Sequence, residues 1–447
     1  MGSRALTPLR IRAPIWGGVL LTAAAILQRL WLWTVYAPVD YGDTGSYFRA
    51  AAVLAKGTLR GYDGTRVPGY PAFVAALGLD PTRVWLGQMA LGLGITLILY
   101  LWMLRTSRSL PLAIVVAGLY NLIPGQFLFE ANLLTETLTT FSILLSLFLV
   151  GELARRSAGK TAAWLAIAGG LAAGAAGLVR ILFYPLAAWL LPFVWAGAGT
   201  WRTRLLRSAW FAVSAAILLG GWVYYIYSSY GFLAPSTMGG FNLVQHTGAF
   251  FEYLPDEYAP LRDTYLKYRD ARVAERGDQT NTIWEAIPEL TEVTGLGFYD
   301  LSREMQRLSI LLIREHPDLY ARNVVEGWVA FWKAPVYWDP EHVASLPARS
   351  LLSAWSTAGR AICLAANAAY LALLAILPFR SALARRLRRD SSWLLAAGLV
   401  AVTSLVQTLI DHGDNPRFLV PLQMVVIMTL ALALARALEV RPREIAS

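Results

Sequence analysis

The sequence predicts an all-α polytopic membrane protein with about ten transmembrane helices. The chain has 447 residues, of which 56% are hydrophobic and only 15% charged, and its mean hydropathy is +0.48. A soluble domain averages nearer 25% charged residues. Several apolar stretches also approach the roughly 20 residues that cross a bilayer. The predicted spans are 15–36, 83–104, 110–126, 132–151, 161–179, 181–199, 209–229, 351–377, 392–410 and 418–437.

The basic residues are unevenly distributed between these spans. The net charge of +10 alone would suit nucleic acid, but its placement argues against that partner. The short gaps on one side of the predicted topology hold little besides Arg180 and Arg417. The positive-inside rule therefore predicts that both termini are cytoplasmic. The residues on the cytoplasmic side are Arg4, Arg10, Arg12, Arg105, Arg108, Arg155, Arg156, Lys160, Arg202, Arg204, Arg207, Arg380, Arg385, Arg386, Arg388, Arg389, Arg436, Arg441 and Arg443.

The chain is predicted to be a single membrane domain with two long external segments, 37–82 and about 230–350. The first span is predicted to remain uncleaved, because Gln28 and Arg29 interrupt its apolar stretch. The only cysteine, Cys363, lies in a predicted span, so no internal disulfide can form.

Residues 299–332 of the second external segment carry apolar side chains at helical spacing. One or two amphipathic helices are predicted there, with a break at His316-Pro317. Amphipathic helices of this kind often lie along a membrane surface, which is the expectation here.

Two carboxylates are candidates for chemistry. Asp43 lies in the first external segment at the start of a predicted short helix, where it can face a cavity or simply cap the helix. Glu136 lies at the outer edge of the fourth span, where a carboxylate is costly. Its alternative is a side chain that reaches up to the lipid headgroups. Glu130 is expected to lie in water.

Two arginines break the charge rule, since Arg180 and Arg417 lie on the side poor in positive charge. The planar donor fork of arginine suits a phosphate. The alternative for Arg417 is an ion pair with Asp411 or Asp414. The alternative for Arg180 is a contact with lipid phosphate.

Other kinds of site find little support. No phosphate-binding loop of the G-x-x-x-x-G-K-[ST] or G-x-G-x-x-G type is present. Glycines in 169–177 indicate close helix packing. The external aromatic residues could stack on sugar rings or form an interfacial belt; they are Trp328, Trp332, Tyr337 and Trp338. The four histidines lack metal-ligand spacing; they are His246, His316, His342 and His412.

Taken together, these features resemble the GT-C superfamily of membrane glycosyltransferases. The likeness is to the branch of protein O-mannosyltransferases and of the lipid A aminoarabinose transferase, glycosyltransferase family 39. Its motifs follow in order along the chain. They are Asp43-x-x-x-Tyr47, Pro68-Gly69-Tyr70-Pro71, Thr135-Glu136, Glu315-His316-Pro317 and Arg417-Phe418-Leu419-Val420-Pro421.

The resemblance implies a GT-C-like fold and a reaction. A sugar would pass from a polyprenyl-phosphate-linked donor to a cell-envelope acceptor, which could be a lipid, a polysaccharide or a protein. The reaction would take place on the outer face of a bacterial inner membrane and would invert the configuration at the anomeric carbon of the sugar. Asp43 would be the catalytic base, and Arg417 and Arg180 would bind the donor phosphate. Glu136 would orient the acceptor or help to hold a divalent metal ion. The supporting residues would be Tyr47, Arg66 and Tyr70.

Three other functions remain open from the sequence. A lipid or solute transporter would also need many spans and polar residues, although such proteins commonly show inverted repeats and broken midplane helices, which this sequence lacks. An O-antigen polymerase or ligase would perform a related chemistry. A non-catalytic scaffold subunit would have no need of an outward-facing Asp43 or of two unmatched arginines.

Overall fold

The computed structural model describes residues 8–413 and 415–438. Within these residues the chain is helical and contains no strand. The extended pairings in this part of the chain are two isolated bridges, Tyr36 with Val343 and Val39 with Asn132. The predicted all-α class is therefore confirmed.

The N-terminal half consists of ten α-helices. They are α1 (Pro8–Val35), α2 (Thr44–Leu54), α3 (Gly69–Ala76), α4 (Pro81–Ser107), α5 (Leu110–Leu122), α6 (Pro124–Phe127), α7 (Glu136–Ala154), α8 (Lys160–Val179), α9 (Leu186–Ala196) and α10 (Trp201–Tyr230). Residues 36–80, between α1 and α4, are called the first connection below.

Residues 231–345, called the insert below, separate α10 from the last helices. The insert contains α11 (Gly239–Thr247), α12 (Ala259–Arg276), α13 (Thr282–Thr294), α14 (Phe298–Glu315) and α15 (Pro317–Phe331). The remaining helices are α16 (Leu346–Ile376), α17 (Ser381–Arg389), α18 (Ser391–Ile410), α19 (Asn415–Phe418) and α20 (Gln423–Leu438).

Eight helical segments of the described chain are long and apolar enough to cross a membrane, and they coincide with eight of the ten predicted spans. The predicted span 110–126 is instead bent by 66° between Leu110–Leu122 and Pro124–Glu130. Pro124 explains the break, because proline lacks an amide hydrogen and its ring crowds the preceding turn. The predicted span 181–199 is a shorter apolar stretch, Ile181–Ala196. The count is thus eight, or nine with the bent pair.

Local sequence determines where several of these helices begin and end. The Asp80 side chain caps α4 by accepting the Arg83 amide hydrogen at 3.0 Å. Thr200 and Ser345 cap α10 and α16 in the same way. Gly231 ends α10 with a positive φ of 73°, which glycine adopts without strain. The first connection and the insert therefore start and stop at defined residues.

Close packing of α8 on α10 depends on small residues, as predicted for 169–177. A Cβ on Gly170 would lie 2.2 Å from the carbonyl oxygen of Phe211 in α10. Only glycine permits that approach.

The insert has a hydrophobic core of its own, to which Phe241, Tyr265 and Leu290 contribute. The predicted pair of helices broken at His316-Pro317 is confirmed by α14 and α15. Their expected position along a membrane surface is not found for α14, because Met305 and its apolar neighbours are buried in the insert core. The apolar face of α14 is therefore covered by the other helices of the insert.

An ion pair is buried between α1 and the end of the bent helix pair. Glu130, which was expected to lie in water, is completely buried. Its carboxylate accepts hydrogen bonds from Arg29 at 2.5 and 2.8 Å and from the Tyr120 hydroxyl at 2.9 Å. Arg29 also donates to Asn121 at 2.8 Å. The residue that interrupts the apolar stretch of α1 is thus paired, which offsets its cost in the membrane.

We predict that Glu130→Ala lowers the free energy of unfolding by about 3–5 kcal/mol, because it leaves the Arg29 charge buried without a partner. Glu152→Ala is the control, since Glu152 pairs with the exposed Arg105 and Arg155, and such pairs contribute at most about 1 kcal/mol. Thermal or chemical unfolding in detergent measures both variants. Equal losses in the two would contradict a structural role for the buried pair.

Candidate active site

The first connection is held against the segment that precedes α7, and this contact brings Asp43 towards Glu136. The Val39 amide donates to the Ala131 carbonyl at 2.9 Å, and its own carbonyl accepts from the Leu133 amide at 3.0 Å. The Thr44 hydroxyl donates to the Leu133 carbonyl at 3.1 Å. Asp43 precedes Thr44 by one residue, and Glu136 follows Leu133 by three residues, so this hydrogen bond holds the two carboxylates on the same side.

Five of the residues singled out in the sequence form one continuous row of ion pairs, called the charge chain below. Arg66 binds Asp43 at 2.6 Å, and Arg417 binds the other oxygen of Asp43 at 2.7 Å. Arg417 also binds Glu136, whose same oxygen accepts from Arg180 at 3.0 Å. Three guanidinium groups therefore alternate with two carboxylates, which leaves the chain with one excess positive charge.

Asp43 does not act as the helix cap that was its alternative reading. It occupies the N-cap position of α2, but its side chain makes no capping hydrogen bond. Each of its two oxygens binds a different arginine, Arg66 or Arg417. Burial acts to raise the pKa of Asp43, but the two guanidinium groups outweigh it and hold the pKa at about 2. The carboxylate is therefore ionised at neutral pH, with its side chain 30% exposed.

Glu136 is completely buried and does not reach a lipid headgroup. One of its oxygens binds both Arg180 and Arg417. The other is buried without a hydrogen-bond partner in the described part of the chain. Glu136 therefore orients Arg180 and Arg417 through ion pairs. Its buried carboxylate is not accessible to an acceptor.

Arg417 pairs with Asp43 and Glu136, which lie far away in the sequence. Of its two expected alternatives, Asp414 lies outside the described residues, and the Asp411 carboxylate accepts from the Gly413 amide at 2.8 Å. A paired carboxylate therefore lies on each side of the Arg417 guanidinium group.

Arg180 follows the end of α8 with an extended backbone. Its guanidinium group lies 4.1 Å from the centre of the Phe418 ring, a cation–π contact. Together with its ion pair to Glu136, this contact keeps Arg180 in the protein, so lipid phosphate is not needed as its partner.

The three residues expected to support the site, Tyr47, Arg66 and Tyr70, contact one another next to Asp43. The Arg66 guanidinium group lies 5.0 Å from the centre of the Tyr47 ring. The edge of Tyr47 packs on Tyr70 at 5.1 Å, and the Tyr70 hydroxyl donates to Gln88 at 3.0 Å. The Ser46 hydroxyl accepts from Arg66 at 2.9 Å. These contacts fix the direction of Arg66 towards Asp43.

The geometry does not fit a divalent metal ion. Three of the four carboxylate oxygens of Asp43 and Glu136 already bind arginine. A cation would also face the excess positive charge of the charge chain, which disfavours it. Among the described residues no group of three or more His, Cys, Asp or Glu could hold a metal ion.

Sequence analysis assigned Arg66 only a supporting role, but its side chain is the most exposed of the three arginines, at 24% against 11% for Arg180 and Arg417. Its local sequence gives no signal of this role, because Arg49 and Arg60 lie in the same connection. The fold shows that Arg66 is the partner of Asp43.

Two histidines without metal-ligand spacing were also missed as neighbours of the site. The ring centres of His246 and His412 lie 5.2 Å apart, between α11 and the residues that precede α19. Burial lowers the pKa of both rings, that of His246 to about 3. The pair is therefore neutral and packs the insert against the segment that carries Arg417.

The aromatic residues predicted to stack on sugars or to form an interfacial belt instead pack within the protein. Trp328 donates to the Ser404 hydroxyl of α18 at 3.2 Å, and Trp332 stacks on Tyr370 at 5.5 Å. Tyr337 and Trp338 pack in core clusters beside the first connection. Their role in this structure is to join helices.

Comparison with models of known protein families, with curated proteins and with solved structures finds no match to this chain.

We predict that the stability contributed by Asp43 is lost only in acid. Its folded pKa of about 2 lies below the value of about 3.9 for an unfolded chain. The contribution is then complete above pH 4–5 and is lost as the pH falls towards about 2. The difference in free energy of unfolding between the parent and Asp43→Asn, measured from pH 7 downwards, should therefore shrink below about pH 4.

The control is Asp40→Asn, because Asp40 is exposed and forms no ion pair within the described chain. It should change the free energy of unfolding little. A difference between the parent and Asp43→Asn that stays constant from pH 7 to pH 3 would contradict the paired geometry.

Proposed function

We propose that this protein is a glycosyltransferase that moves a sugar from a polyprenyl-phosphate-linked donor to a cell-envelope acceptor on the outer face of a bacterial inner membrane. The observation that carries the proposal is the charge chain, which combines a partly exposed carboxylate with three arginines at one end of a bundle of membrane-spanning helices. A carboxylate can take a proton from a hydroxyl, and arginines suit a phosphate.

In the proposed reaction, the acceptor hydroxyl oxygen forms a bond to the anomeric carbon of the donor sugar. The bond from that carbon to the phosphate oxygen breaks, and its electron pair leaves on the phosphate. The hydroxyl proton passes to Asp43. Because the phosphate is a good leaving group, no general acid is required, and direct attack inverts the anomeric centre. The developing charge on the phosphate is stabilised by the guanidinium groups of Arg66 and Arg417.

The ion pairs of Asp43 require an order of binding. Both of its oxygens are held by arginine, and its low pKa makes it a weak base in this state. A donor phosphate competes for the same two guanidinium groups, since each can bind phosphate as well as carboxylate. When a guanidinium group turns from Asp43 to the phosphate, it frees an oxygen of Asp43 and raises the pKa of that carboxyl group. The donor therefore binds first and prepares the base for the acceptor.

Glu136 and Arg180 take positioning roles in this proposal. Glu136 is too deeply buried to meet an acceptor, and it fixes the direction of Arg417. Arg180 balances the Glu136 charge from the other side and packs on Phe418. Their task is to present Arg417 to the phosphate.

The function is tested by incubating the purified protein with candidate donors and following the transfer of labelled sugar to cell-envelope acceptors. We expect transfer from a lipid-linked donor and none from a nucleotide sugar alone. Equal or better use of the nucleotide sugar would refute the proposal. No transfer from any donor, together with movement of lipid or solute across vesicles, would favour a transporter.

We predict that Asp43→Asn reduces transfer by roughly 10²–10⁴-fold, because an amide cannot accept the hydroxyl proton. Donor affinity should remain, since Arg66 and Arg417 are still present. The matched control is Asp40→Asn, three residues earlier in the same connection, which should keep substantial activity. If Asp40→Asn is inactive and Asp43→Asn is active, the wrong carboxylate has been assigned. If both are active, the mechanism is wrong.

We predict that Arg417→Ala weakens donor use far more than Arg417→Lys. The alanine variant loses a charge-assisted contact to phosphate, on the order of 1.5–3 kcal/mol, whereas lysine keeps the charge without the fork. Donor kinetics and thermal stability are measured together, because Arg417 is also part of a buried ion pair. Should the alanine variant fail to fold, the lysine variant alone must show weakened donor use. Unchanged donor kinetics in a folded variant would leave Arg417 a purely structural residue.

A further inference from the structure

A strongly basic surface lies at the predicted cytoplasmic end of the helical bundle. Helix α17 (Ser381–Arg389) joins the membrane-spanning helices α16 and α18. Five arginines lie within residues 380–389, and no acidic residue lies among them. All five are exposed, and none forms an ion pair or a side-chain hydrogen bond within the described chain. They are called the basic patch below and are Arg380, Arg385, Arg386, Arg388 and Arg389.

Helix α17 is fixed on the bundle by its apolar side. Leu387 is completely buried in the core of the bundle, and Ala384, one turn earlier, is also buried. Directly after α17, the Asp390 side chain caps α18 by accepting two amide hydrogens from its first turn, at 3.0 and 3.2 Å. Asp390 also binds Arg436, near the end of α20, at 2.8 Å. The arginines of the basic patch are therefore carried on the exposed side of a helix that is held at both its middle and its end.

Helix α17 lies where membrane-spanning helices leave the bilayer. The apolar segment of α16 ends at Phe379, whose side chain is 85% exposed, and Ile376 is 50% exposed. Arg436 donates to the carbonyl of Thr106, near the end of α4, at 3.2 Å, so several spans end at this level. Exposed apolar side chains next to a run of cations are typical of a segment at the boundary between acyl chains and headgroups.

Several other arginines at this end of the bundle have partners inside the protein. Arg105 and Arg155 both pair with Glu152. Arg207 donates to three backbone carbonyls at the end of α9, and Arg436 pairs as described above. The basic patch has no such contacts in the described chain, so its charge is available to a partner outside the protein.

We infer that the basic patch binds the anionic headgroups of phospholipids in the cytoplasmic leaflet of the membrane. A cluster of about four to eight cations directly cytoplasmic of a membrane-spanning helix attracts anionic lipids, and each cation near the surface adds to that attraction. Guanidinium groups also form charge-assisted bonds with phosphate. Phe379 then lies among the acyl chains, beside the bound headgroups. The inference does not rest on the proposed function, because the charge chain lies at the other end of the bundle.

The alternative is that these arginines only face water and set the orientation of the chain during insertion. The positive-inside rule depends on the number of cations in the short loops. A lipid-binding surface depends instead on how many cations lie together at one place. The two explanations therefore differ in what happens when the same number of charges is removed elsewhere on the same side.

The experiment compares the full-length parent with two variants that each lose four positive charges on the predicted cytoplasmic side. Binding of phosphatidylglycerol, and of phosphatidylcholine with the same acyl chains, to the protein in neutral detergent is measured by native mass spectrometry. The patch variant combines Arg385→Gln, Arg386→Gln, Arg388→Gln and Arg389→Gln. The control variant removes four exposed cations from other short gaps and combines Arg108→Gln, Arg156→Gln, Lys160→Gln and Arg202→Gln.

We expect the patch variant to bind phosphatidylglycerol at least about tenfold more weakly than the parent and to bind phosphatidylcholine equally well. The control variant should match the parent for both lipids. Added salt should weaken phosphatidylglycerol binding by the parent more than by the patch variant. Equal losses in the two variants would overturn the inference, because the number of charges and not the patch would then decide. A parent that does not prefer phosphatidylglycerol would also overturn it, and would leave the patch to an acidic segment of another protein.

Two further variants separate charge from folding. Lysine at the same four positions keeps the charge and should preserve most of the phosphatidylglycerol binding. A loss as large as that of the glutamine variant would overturn the inference. Thermal unfolding should be the same in all folded variants, because the substituted side chains have no partner inside the described chain. Should the patch variant fail to fold, Arg385→Gln with Arg386→Gln replaces it. No weakening of phosphatidylglycerol binding in that pair would overturn the inference.

Discussion

The guanidinium group of Arg417, in the C-terminal part of the chain, joins two carboxylates from its N-terminal third. Asp43 and Glu136 lie 374 and 281 residues before it in the sequence, and the three side chains meet in a largely buried position. Burying a charge is tolerated only when it is paired and its hydrogen bonds are satisfied. The ends of α2, α7 and α19 must therefore meet at one point, and that requirement determines how the helices around them are arranged.

The charge chain rests on a second set of buried contacts, made by α1 and α4. Gln88 of α4 donates to the carbonyls of Glu130 and Asn132 at 2.8 Å each. Arg29 holds the Glu130 side chain from α1. The segment that leads to Glu136 is thus fixed by two membrane-spanning helices. Irregular backbone at this depth requires such partners, because lipid offers none to an open amide or carbonyl group.

The insert contacts the segments next to two arginines of the charge chain, Arg66 and Arg417. The Tyr299 hydroxyl of α14 donates to the Asp63 carbonyl at 3.3 Å, three residues before Arg66. On the other side, the Tyr320 hydroxyl of α15 donates to the Leu409 carbonyl at 2.6 Å, at the end of α18. One small helical core therefore positions the loops of both Arg66 and Arg417. A functional site gains precision when its supporting residues are themselves fixed in this way.

The sequence by itself determined the class of the protein and most of its spans, because hydrophobic length and proline or capping residues act locally. It also identified Asp43, Glu136, Arg180 and Arg417 as unusual, since each is a charge in an apolar or charge-poor setting. What it could not determine is which charges are partners. Glu130 was expected in water and is buried against Arg29, and Arg66 was expected only to support the site and is paired directly with Asp43. Ion pairs in a low-dielectric interior depend on distances of a few ångströms between segments hundreds of residues apart, and only the tertiary structure sets those distances.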